Sequence, residues 1–155
     1  MFRTRLISGI ILVILALVTI LCGGGVLAVT LFLVSLAGVR ELYQAVGVED
    51  GRFSIMAWIG YIGCGVYYLV LFLGYDRFYL PTGVMVLTAL MFAYVFCWPR
   101  YDSNQAMSAV FGFFYVAVML SFVYQTRMLE DGKFLVWLIF LCSWGCDTCA
   151  YCVAC

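Results

Sequence analysis

The segment IMAWIGYIGCGVYYLVLFL, residues 55–73, holds no charged residue and no proline. At a rise of about 1.5 Å per residue, a helix of this length covers the roughly 30 Å hydrocarbon core of a bilayer. Gly60, Gly63 and Gly65 stand at a spacing that lets another helix come close in lipid. The segment reads as a transmembrane helix, with helix packing as the use of its glycines.

The same pattern recurs on both sides. An apolar run from Leu6 to Cys22 follows Arg3 and Arg5. A secretory signal with cleavage near Val26–Ala28 is the alternative for this run. Its length exceeds the usual 7–15 residues, and apolar sequence resumes after Gly23-Gly24-Gly25, which favours an uncleaved first span. The three glycines are expected to form a tight turn, since glycine tolerates positive φ. Val26 to about Val46 is the second span and Ile55–Leu73 the third. Leu80–Trp98 is the fourth, with Pro81 near its start, where a missing N–H costs little. Ala106–Gln125 is the fifth. Phe134 opens a sixth apolar run that continues to Cys155. The expected fold class is therefore all-α, a polytopic transmembrane helical bundle of about six spans.

Composition agrees. Of 155 residues, 67% are hydrophobic and 10% charged, against roughly 25% charged in ordinary soluble domains. Six spans take up about 120 residues, so no soluble domain fits in the remainder. Eight basic and eight acidic residues cancel, and no basic run offers a surface to nucleic acid. The absence of histidine removes bis-histidine haem ligation and the commonest general base. Cys22, Cys64, Cys97 and Cys142 lie singly in apolar runs, as small hydrophobes do. Tyr79, Trp98, Tyr101 and Tyr124, near run ends, suit an interfacial aromatic belt. With a cytoplasmic N-terminus, Arg3, Arg5, Arg40, Arg52 and Arg100 lie inside, and Arg77, Arg127 and Lys133 outside.

One residue stands apart. Seven of the eight acidic residues lie in loops or near helix ends, but Asp147 falls inside the sixth run. It lies about 20 Å along the helix from Phe134, where a carboxylate costs about 2.5–3.5 kcal/mol on insertion scales. Either the side chain serves a wet or metal-bearing cavity, or it pairs with a loop arginine, or the helix ends before it. An intramembrane ionisable group is by default a site candidate. Around it, Cys146, Cys149, Cys152 and Cys155 repeat every three residues, similar to the opening of a ferredoxin iron–sulfur motif. On a helix such positions drift by about −60° per step, so four thiols fan out and cannot close on one cluster.

Cys146-Asp147-Thr148-Cys149-Ala150-Tyr151 resembles the Ser-Asp-Thr-Gly-Ala-Tyr element of phosphatidate cytidylyltransferases, the CDP-diacylglycerol synthases. Arg5-Leu6-Ile7-Ser8-Gly9-Ile10 and Arg40-Glu41-Leu42-Tyr43 are similar to that family's N-terminal region, and the order of spans agrees throughout. Cysteine stands at 146 and 149 where serine and glycine are usual. The family continues beyond the position of Cys155 into a lysine-bearing loop and further helices. The resemblance therefore implies that residues 1–155 are a transmembrane N-terminal portion, with a C-terminal catalytic segment missing, inactive by itself. It further implies CMP transfer from CTP to phosphatidic acid in the bilayer, releasing pyrophosphate with help from Mg²⁺. Asp147 is the implied catalytic residue and metal ligand, and Thr148 and Tyr151 the substrate-binding neighbours. A multi-pass protein of a bacterial inner membrane is the implied setting, and a homodimer is compatible with it. A non-catalytic bundle, such as a transporter subunit or assembly partner, is the alternative of another class.

Overall fold

A computed structural model describes the backbone of residues 16–48 and 54–154, and their side chains except at 147, 148, 151, 152 and 154. Every regular element among them is helical. Residues 16–22 form the described part of α1. There follow α2 (Gly24–Ala45), α3 (Ile55–Phe72), a short 3-10 turn (Asp76–Phe78), α4 (Tyr79–Phe96), α5 (Ser103–Arg127) and α6 (Gly132–Ala154). The all-α expectation holds. Four of the helices, the second to fifth expected spans, are long and apolar enough to cross a membrane. Most of the first expected span, the Glu49–Arg52 loop and Cys155 lie outside the described residues.

The glycine turn takes a different form from the one expected. Only Gly23 interrupts the helices; Gly24 and Gly25 already belong to α2. Gly23 and Gly24 both take positive φ, at 60° and 53°, and two such residues suffice to redirect the chain.

The chain divides into two compact units, one of Ala28–Phe122 and one joining the stretch up to Leu27 to the stretch from Val123. In the first, α3 packs against α4 and α5. The Ile55 N–H donates to Tyr101 Oη at 2.9 Å, and Gln105 Nε2 donates to the Gly47 carbonyl at 2.7 Å. These bonds gather the end of α2, the start of α3 and the α4–α5 connection at one end of the unit. Tyr101 is therefore a buried cap rather than a member of an outer belt, and Tyr124 is buried as well. Trp98 does face outward.

Side chains at the outer surface are largely apolar: Leu33, Ile62, Leu69, Phe92, Val95 and Phe111 are all exposed. A soluble protein does not leave such a belt to water. The core is thin and closed by glycines. A methyl at Gly63 would lie 2.7 Å from Val86 Cγ1, so α3 and α4 touch there backbone to side chain. Gly65 meets nothing and lines an apolar hollow of about 190 Å³ with Phe32 and Tyr68. The packing role expected of the α3 glycines thus holds at Gly60, against Tyr43, and at Gly63, but not at Gly65. Of the cysteines in apolar runs, Cys64 is buried, whereas Cys22 and Cys142 are on the outside.

Candidate functional site

Helix α6 runs without a break through position 147. The possibility that the helix ends before Asp147 is thereby removed. The backbone carries Asp147, Thr148 and Tyr151 on one continuous apolar helix, with Asp147 and Tyr151 one turn apart on the same face and Thr148 about 100° round. Their side chains lie outside the described set. Around them Trp144, Cys146, Cys149 and Val153 are exposed, as are Phe134, Leu138 and Leu141 nearer the start. Val136 is a fully buried exception. The helical path also places positions 146, 149 and 152 at successive steps of about −60° around the backbone cylinder.

A second polar feature escaped the sequence. Halfway along α5, residues Phe113–Val118 form a π-helical segment, a local widening that recurs at functional sites. Hydroxyls from α2 and α3 converge on it. Tyr68 Oη donates to the Ala117 carbonyl at 3.3 Å and shares a 2.6 Å hydrogen bond with Ser35 Oγ. Tyr67 Oη shares a 3.3 Å bond with Ser121 Oγ, which also donates to the Val118 carbonyl at 2.6 Å. Ser35, Tyr67, Tyr68 and Ser121 are all buried. Hydroxyls that cannot reach water must find partners within the protein, and here every one does. The 55–73 run shows two hydroxyls inside an apolar stretch, but nothing in it names their partners on α2 and α5. Tyr68→Phe removes the link to Ser35 and is expected to destabilise the unit by about 1 kcal/mol. Unfolding in mixed detergent by circular dichroism checks this, with Ser35→Ala as the matching partner deletion.

Neither feature amounts to a complete cation site. Among the described residues, no group of three or more histidine, cysteine, aspartate or glutamate side chains comes together. Magnesium takes one or two carboxylates with phosphates and waters, and Asp147 supplies one carboxylate only. Among the described side chains no divalent centre is assembled, and the Asp147 carboxylate lies outside that set.

The order of apolar helices and the acidic residue within the last of them can be set beside known proteins. No curated protein and no solved structure gives a significant match to the chain. Residues 3–154, nearly its whole length, match the sequence profile of the cytidylyltransferase family. That family is the CDP-diacylglycerol synthase family, whose members are nucleotidyltransferases and generally depend on a divalent metal. With membrane-long helices and a match over residues 3–154, the chain belongs to the cytidylyltransferase family.

Proposed function

We propose that the protein transfers CMP from CTP to phosphatidic acid, giving CDP-diacylglycerol and pyrophosphate. The family match over residues 3–154 carries this reading. The helices supply its physical sense, since a lipid substrate held in the bilayer must meet a nucleotide held in water.

In the reaction, a phosphate oxygen of the lipid attacks the α-phosphorus of CTP. A new P–O bond forms as the bond to the β-phosphate oxygen breaks, and pyrophosphate leaves with that electron pair. Both reactants are anions, so charge neutralisation dominates the barrier. Mg²⁺ is the proposed cofactor, supplying that neutralisation when bound. Asp147 is the proposed catalytic carboxylate, and its depth in an apolar helix strengthens any interaction with a cation. Thr148 and Tyr151 are the proposed phosphate-contacting neighbours. The proposed setting is the inner membrane of a bacterium, crossed several times, with the N-terminus and the Arg40 and Arg100 ends on the cytoplasmic side.

The test is direct. Membranes in which the natural gene is expressed are given CTP labelled at the α-phosphate, phosphatidic acid and Mg²⁺. Label is expected to pass into the lipid extract as CDP-diacylglycerol, with pyrophosphate released in equal amount. Absence of lipid label above that of membranes lacking the gene, with the protein present and folded, would reduce the chain to a non-catalytic bundle.

A further inference from the structure

Arg127, at the end of α5, differs from every other described charged residue in being only half exposed. Its Nε donates to the Ile20 carbonyl at 3.3 Å. The guanidinium then lies against Gly23, where an added methyl would come within 3.1 Å of Nη2. A residue without a side chain, held at positive φ, makes room for this cation. Beside it opens a cavity of about 240 Å³ lined by Ile20, Leu21, Arg127, Lys133, Phe134 and Trp137. Two cations thus face one hollow whose remaining lining is apolar. Glu130 and Asp131, in the intervening turn, are exposed and do not line it. Among the described residues neither cation has an acidic partner.

Such a lining is matched to a ligand with an anionic head and an apolar body. The planar guanidinium fork fits two phosphate oxygens, and the lysine adds a point charge. Trp137 and Phe134 gain nothing from a hydrated free ion but pack well on acyl-glycerol. Tryptophan at a helix end also belongs at the level of lipid head groups. We propose that this cavity binds the phosphate of an anionic glycerophospholipid. Lys133 and Asp147 are about 21 Å apart along α6, so the lipid sits in the leaflet opposite the acidic motif. The inference rests on the membrane placement and not on the cytidylyl-transfer reading; it survives if no reaction is found.

The chain is placed in phosphatidylcholine vesicles carrying a minor fraction of brominated phosphatidylglycerol or, in parallel, brominated phosphatidylcholine. Bromine quenches tryptophan fluorescence on contact, and Trp137→Phe supplies the blank that isolates Trp137. Brominated phosphatidylglycerol is expected to quench Trp137 more strongly than the neutral lipid at equal fraction. Lys133→Gln, at an exposed position near the start of α6, is expected to lower that preference about five-fold with helicity by circular dichroism unchanged. Arg127→Gln abolishes it, and Arg127→Lys retains part of it. Equal quenching by the two lipids, or a preference unchanged in Lys133→Gln, would overturn the proposal. Displacement of the anionic lipid by millimolar inorganic phosphate in detergent would assign the cavity to a free anion and overturn the lipid reading too.

Discussion

Asp147→Asn is expected to lower cytidylyl transfer about a thousandfold in the natural gene product while the protein stays folded, the loss of several kcal/mol of charge stabilisation. Asparagine keeps the shape of aspartate and removes only its charge. In an unbroken apolar helix that charge costs about 2.5–3.5 kcal/mol to place, so its removal leaves stability equal or raises it. Activity and stability therefore move apart. A purely structural aspartate, paired with a loop arginine, behaves otherwise: its loss strands the arginine and lowers stability, with activity following. Thermal unfolding in detergent, measured beside the transfer assay, separates the two cases. Full turnover in Asp147→Asn would remove the carboxylate from the mechanism.

The membrane fold was legible because hydrophobic length is a bulk property, readable without knowing any contact. Helix ends were less so. Hydropathy placed the start of the fifth span at Ala106, yet α5 begins at Ser103. Asp102 Oδ1 accepts from the Ser103 N–H at 2.8 Å, and Gln105 Oε1 accepts from the Asp102 N–H at 3.1 Å, so a polar capping box adds a first turn. Hydropathy reports where hydrocarbon begins; caps decide where the helix does. Asp147 was legible for the opposite reason, as a local violation of an apolar pattern. The Tyr67–Tyr68 seam was not, because its partners come from α2 and α5, 33 to 54 residues away in sequence. Tyr101 shows the same limit. An aromatic residue near a run end can face lipid or turn inward to cap a neighbour, and only the position of Ile55 decides.

The largest stability effects should come from Tyr43, which locks three helices together. It stands on α2, is fully buried, and its Oη donates to the Ala109 carbonyl on α5 at 2.8 Å. Its ring occupies the space left by two glycines. A methyl at Gly112 would lie 2.7 Å from Cε1, and a methyl at Gly60 on α3 would meet the hydroxyl and lie 2.7 Å from Cε2. The ring is hemmed in on both sides and tethered at its tip, so it cannot swing away from either methyl. Tyr43→Ala is expected to cost about 3–5 kcal/mol through the cavity it leaves. Gly112→Ala is expected to cost about 1–3 kcal/mol through overpacking. The combination distinguishes this geometry from generic damage, because the added methyl meets the tyrosine most closely, with only the mobile tip of Leu42, 3.1 Å away, beside it. In the Tyr43→Ala background, Gly112→Ala should be close to neutral or partly restore stability, giving a coupling of about 1–3 kcal/mol. Unfolding of the four variants in mixed detergent measures that coupling. Additive losses would mean that Tyr43 and Gly112 do not meet, and the packing of α2 against α5 described above would then be wrong.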